Sequence, residues 1–151
     1  MTLAYLRKLP GGYIPEDASN EPGVFDSIKN NEVIKIKFVR PRNYERHKKY
    51  FALLNIAFDA FEPNTMHKGV LVDKNFERFR KDVIVQAGHY DVVVNINGEL
   101  RLEAKSIRFS KMSEEEFNDL YNKSVNVILQ KVLTTYTKAD LDHIVEQVIR
   151  F

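Results

Sequence analysis

The chain has 151 residues, 44% of them hydrophobic and 29% charged, a balance that suits a soluble globular protein of one domain. It contains no cysteine, which excludes disulfides and thiolate metal centres and fits a reducing compartment. Nowhere does it approach the ~20 consecutive apolar residues of a membrane span, and its first ten residues lack the apolar run of a signal peptide, so a cytoplasmic protein is expected.

The net charge of +2 hides an uneven distribution. Between Lys29 and Lys49 stand eight basic residues against two acidic ones, whereas between Ser113 and Phe151 four basic residues face seven acidic ones. A segment so positive raises the local concentration of polyanions.

Thr2 to Leu9 alternates loosely and predicts a first strand closed by Pro10-Gly11-Gly12. A stretch rich in Pro, Gly, Asn and Asp follows, with a short helix expected over Phe25 to Lys29. Glu32 to Val39 reads as a strand, with Ile34, Ile36 and Phe38 on one face and Lys35 and Lys37 on the other. The next segment, through Phe61, predicts a long helix capped by Asn43. Its seam of Tyr44, His47, Phe51, Leu54, Phe58 and Phe61 alternates gaps of three and four. Arg42, Arg46, Lys48 and Lys49 crowd the start of that helix, where the backbone dipole and free N–H groups already favour an anion.

Glu62 to Gly69 reads as a loop, and Asp73 as the cap of a second helix that carries Phe76, Phe79 and Val83 and ends at Gly88. Tyr90 to Ile96 and Leu100 to Phe109 predict a hairpin about Asn97-Gly98. A two-residue loop pairs Val92 with Glu103; a three-residue loop pairs Ile96 with Leu100, Val94 with Leu102 and Val92 with Ala104. The latter is preferred because it sets apolar against apolar. Ser113-Glu-Glu-Glu116 is a capping box for a long helix, and Thr137 caps a last one. The expected fold is α+β, a single domain over residues 1–151 with a small antiparallel sheet and a hairpin packed against three or four helices.

Asp91 and the triplet Glu103-Ala-Lys105 resemble the Asp…Glu-Xaa-Lys core of restriction-endonuclease-like nucleases, in which two carboxylates hold a divalent metal; Glu77 is a further acidic candidate. The same residues also suit a plain exposed sheet face with Asp91 opposite Lys105. His47, His67, His89 and His143 lack metal-ligand spacing. No catalytic residue, cofactor or metal is therefore expected. Tyr50, interleaved with the basic cluster and off the apolar seam, is a candidate for stacking on bases.

The stretch Arg42-Asn-Tyr-Glu-Arg-His-Lys-Lys-Tyr-Phe-Ala-Leu-Leu54 resembles the Arg-Ser-Xaa-Xaa-Gln-Asn-Arg-Lys-Xaa-Trp-Ala-Xaa-Leu segment of the NinB/Orf recombination proteins of lambdoid phages. The Phe79 to Ala87 helix, the hairpin and Ser106-Ile-Arg-Phe-Ser-Lys-Met-Ser-Glu-Glu-Glu-Phe117 extend the likeness over residues 32 to 133. At nearly full length the chain is also similar to an uncharacterised prophage protein family, through Arg46-His-Lys-Lys-Tyr-Phe-Ala-Leu-Leu54, Leu102-Glu-Ala-Lys-Ser106 and Tyr136-Thr-Lys-Ala-Asp-Leu141. The NinB/Orf resemblance implies a dimeric α+β protein that binds single-stranded DNA and helps load recombination proteins on it. Arg42, Lys48 and Lys49 match basic positions of its motif, while Arg46 stands in place of Gln, His47 of Asn and Phe51 of Trp.

The expected function is accordingly a phage or prophage single-stranded nucleic-acid-binding protein, a recombination accessory in the cytoplasm of a bacterial host. Its expected contacts are Lys35, Lys37, Arg40, Arg42, Arg46, Lys48, Lys49 and Tyr50, with host recombination or replication proteins as further candidate partners and a homodimer as the assembly. The alternatives are the metal-dependent nuclease and a module that binds a host protein through the same charged surface.

Overall fold

The structure, a computed structural model, describes residues 4–16, 23–37, 44–108 and 111–150. It has the expected α+β class: the described residues form four helices and small antiparallel sheets, each of two strands. The elements are β1 (Leu6–Leu9), β2 (Gly12–Pro15), α1 (Tyr44–Ala60), β3 (Met66–His67), β4 (Val70–Leu71), α2 (Phe76–Gln86), β5 (Tyr90–Val94), β6 (Leu100–Ala104), α3 (Glu114–Lys131) and α4 (Lys138–Arg150).

The core is helical, and α1 runs through its middle in contact with α2, α3 and α4. Because it is covered from several sides, α1 buries more than the single stripe expected: Tyr50, Ala52, Leu53 and Ala57 join His47, Phe51 and Leu54. Three amphipathic neighbours supply the cover, with Phe76, Phe79, Val83 and Ile84 from α2, Phe117, Leu120, Val125 and Ile128 from α3, and Leu141 and Val145 from α4. The C-terminal end of α1 is closed by Lys74, whose ammonium donates to the carbonyls of Phe58 (2.8 Å) and Asp59 (3.3 Å) and lies over the Phe58 ring. A cation there satisfies orphan carbonyls and complements the helix dipole.

Local capping chemistry is largely as expected. Ser113 Oγ accepts from the Glu116 N–H while the Glu116 carboxylate accepts from the Ser113 N–H, and Thr137 and Asp140 reproduce the arrangement at α4. Gly88, at φ +85°, ends α2. The cap of α2 is Asn75 rather than Asp73, since Asn75 Oδ1 accepts from the Arg78 N–H at 2.8 Å. The expected Asn43 cap lies outside the described residues.

Other expectations are corrected. The first strand does form, over Leu6–Leu9, but it pairs with β2, within the stretch expected to be irregular. Residues 25–29 form no helix: the Asp26 and Ile28 N–H groups reach back only three residues, to Gly23 and Phe25, as in successive turns. Glu32 to Lys37 is exposed and belongs to no ladder, because alternation makes a strand only where a second strand offers hydrogen bonds. Phe38 and Val39 lie outside the described residues. Within the expected Glu62–Gly69 loop, β3 begins a small hairpin with β4 whose turn residues Lys68 and Gly69 both have positive φ, 51° and 78°.

The β5–β6 register differs from both expectations: Val94 faces Leu100, Val92 faces Leu102 and Asp91 faces Glu103. Apolar does meet apolar, but two places along. The Asn95 N–H bonds to the Glu99 carbonyl at 3.0 Å and closes a loop of Ile96, Asn97 and Gly98. A three-residue loop needs its left-handed residue last, and only Gly98, at φ +80°, supplies that without strain. Asn95 Oδ1 then accepts from the N–H groups of Asn97 and Glu99, both at 2.9 Å.

Candidate nucleic-acid interface

The basic residues expected to bind DNA are sorted by the fold into three settings. Lys35 and Lys37 stand exposed on the extended segment. Arg46 and Lys49, three apart on α1, point together toward α3 and line a cleft of about 160 Å³ with Phe117, Asn118 and Tyr121. Arg46 Nη1 donates to Asn118 Oδ1 at 2.6 Å. The Lys49 ammonium pairs with Glu146 of α4 at 3.0 Å and sits 5.5 Å from the centre of the Tyr121 ring. Lys48 is half-buried on another side of α1, near Glu16, which lies directly after β2. Burial works to raise the Glu16 carboxyl. Hydrogen bonds from Arg7 and Tyr44, with the charges of Arg7 and Lys48, hold it below its ordinary value.

Arg40 and Arg42 lie outside the described residues. Tyr50 requires a correction. It is 0% exposed, packed edge-on against Phe51 and Phe117, with its hydroxyl 3.2 Å from Ser124 Oγ. Burial pushes that phenol up to about 12, and no base can stack on it. A tyrosine off the expected stripe became core because α3 covers the side of α1 on which it stands. Asn118 and Tyr121, which complete the cleft, were not among the expected residues; their spacing of three on a capped helix is the one signal that puts them on a common face.

The carboxylates of the nuclease motif are partly assembled. Asp91 and Glu103 are directly opposed across the hairpin, and Lys105 falls opposite His89, whose carbonyl accepts from its N–H at 3.0 Å. Glu77 is on α2, held below the ordinary carboxylate value chiefly by its hydrogen bond with Lys81. Among the described residues no group of three or more His, Asp or Glu side chains converges as a metal cage would. His89 instead pairs with Asp119 at 3.0 Å, and Lys123 reaches the same carboxylate oxygen at 2.7 Å. His47 is a core residue, 3% exposed, hydrogen-bonded through Nδ1 to the Tyr5 hydroxyl at 2.8 Å. No described helix is long and apolar enough to cross a membrane.

No curated protein and no solved structure matches the chain. A family model described as "Protein of unknown function (DUF1367)" matches residues 1–67 and 64–151, which together span the whole sequence. The chain belongs to that family.

Proposed function

We propose that this is a phage-derived protein that binds single-stranded nucleic acid in the bacterial cytoplasm and serves as a recombination accessory. The observation that carries the reading is the basic segment from Lys29 to Lys49, eight cations against two carboxylates. Within it, Lys35 and Lys37 are exposed, and Arg46 and Lys49 share a cleft beside an aromatic ring. Phosphates are the natural contact for such a surface, so binding is salt-sensitive and weakly selective for sequence. Lys49 enters this surface by exchanging Glu146 for a phosphate, a small cost for a partly exposed ion pair.

The test is fluorescence anisotropy of labelled single-stranded and double-stranded oligonucleotides at two salt concentrations with magnesium present. Tight single-strand binding that weakens steeply with salt is expected, and it should fall in a Lys35→Glu/Lys37→Glu variant. Absence of binding at both salts ends the reading.

The reading includes a homodimer. Its support is one face of the β5–β6 hairpin, where Val92, Val94, Leu100 and Leu102 form cross-strand apolar pairs and all four remain exposed. A two-stranded ribbon is marginal in water, and a second copy of this self-complementary face would cover it. Sedimentation equilibrium should give a dimer that Leu100→Glu reduces to a monomer; a wild-type monomer at high concentration removes this part.

A second reading, a metal-dependent nuclease, draws on the direct opposition of Asp91 and Glu103. Like charges placed across a ladder are unfavourable unless a cation lies between them. It requires cleavage with magnesium or manganese that is lost in Glu103→Ala.

A further inference from the structure

A second group of cations lies far from the basic segment in sequence. On α2, Glu77, Arg80 and Lys81 occupy one side of the helix, and the chain leaving β6 passes beside them. With Ala104, Lys105, Ser106, Ile107 and Arg108 they enclose a pocket of about 220 Å³. Its rim carries four cations, Arg80, Lys81, Lys105 and Arg108, and a single carboxylate, Glu77.

That carboxylate is already committed. Lys81 holds Glu77 at 3.1 Å, while Arg80 reaches it only at 3.9 Å, the outer limit of an ion pair. The Arg80 side chain is 13% exposed, and its guanidinium makes no hydrogen bond among the described residues. A guanidinium so withdrawn from water needs a counter-charge and partners for its fixed fork of donors, and a tetrahedral oxyanion supplies both. The floor is firm: Ile107 is 2% exposed, and Phe79, beside Arg80 on α2, is in the core. Ser106 Oγ accepts from the Arg108 N–H at 3.4 Å, which leaves its hydroxyl hydrogen to donate.

We propose that the pocket between α2 and residues 104–108 binds a phosphate group, with Arg80 as the gripping residue and Lys81, Lys105 and Ser106 completing the shell. The phosphate is a backbone phosphate of a single strand, which rests on the reading above, or that of a mononucleotide. In the first case the pocket is a second anchor point, separate from the α1 cleft, and it fixes the path of the strand across α2.

The test uses the full chain, labelled with ¹⁵N, and a variant carrying Lys81→Gln and Lys105→Gln. Both lysines are exposed, so the fold should survive, as circular dichroism will show. Inorganic phosphate or thymidine monophosphate should shift the amides of 104–108 in the wild type and not in the variant. The salt slope for oligothymidine should fall by about 0.7 for each phosphate contact removed. DNA binding with an unchanged slope and no amide shift overturns the pocket and leaves the nucleic-acid reading standing. Amide shifts without DNA binding support the pocket with a mononucleotide as its ligand and defeat the nucleic-acid reading instead.

Discussion

The imidazole of His47 lies flat against the ring of Phe117, centroids 4.7 Å apart and planes 4° from parallel. The stack joins α1 to α3 at the point where Tyr5, ahead of β1, reaches in to hydrogen-bond Nδ1. Burial pushes this histidine down to about 4. A folded-state value below the unfolded one, near 6.5, means that the unfolded chain takes up a proton first as pH falls. The stability that His47 contributes as a neutral ring is thus fully present above pH 6.5 and lost between there and pH 4, by at most about 3 kcal/mol. Urea midpoints of wild type and His47→Gln, measured from pH 7 to pH 4.5, should converge as the pH drops; parallel profiles would show that His47 is protonated equally in both states.

Tyr50 distinguishes a core role from a nucleic-acid role. Truncation to Ala should cost about 3–5 kcal/mol, the range for a fully buried aromatic ring. Tyr50→Phe leaves Ser124 Oγ without its partner and should cost about 1 kcal/mol. The Phe variant should keep the wild-type affinity for single-stranded DNA. A loss of affinity at unchanged thermal stability would mean that the Tyr50 hydroxyl is reachable by the nucleic acid.

The hairpin register can be read chemically. Val92 and Leu102 form a non-hydrogen-bonded pair, in which Cα atoms approach to about 4.5 Å, within reach of a disulfide. A Val92→Cys/Leu102→Cys variant should therefore oxidise rapidly to an intramolecular bridge. Val92→Cys/Ala104→Cys, which matches the register that burial alone suggests, should not. Bridging of the second pair in preference to the first would refute the loop that ends on Gly98.

Lys74 closes α1 from a distance of fifteen residues in sequence, through two carbonyls and the face of Phe58. Replacement by Met keeps the aliphatic stem and removes the charge. The expected loss is about 1–2 kcal/mol, most of it from carbonyls that lose a charged donor. A chemical-denaturation midpoint within error of wild type would assign the closing of this helix to water.

Legible in the residues alone were features whose partners lie within about four residues of one another. The capping box at Ser113, the cap at Thr137, the stop at Gly88 and the helical period of α1 to α4 depend on local hydrogen bonds and side-chain spacing, and all are found in the structure. The hairpin was legible as an element, but its register turned on whether Gly98 stands last or in the middle of the loop, a choice of one residue that moves every pair by two.

The remaining features depend on packing, because the contacts that set them join distant residues. Tyr50 is buried through Ser124, 74 positions away, and no pattern on α1 alone could show that α3 would cover it. Lys35 and Lys37 alternate as a strand would, yet among the described residues Glu32 to Lys37 pairs with no second strand. The cationic pocket of Arg80, Lys81, Lys105 and Arg108 arises because β6 leads the chain back along α2. In sequence its two halves lie more than twenty residues apart, each an ordinary charged surface; only their packing together makes a site.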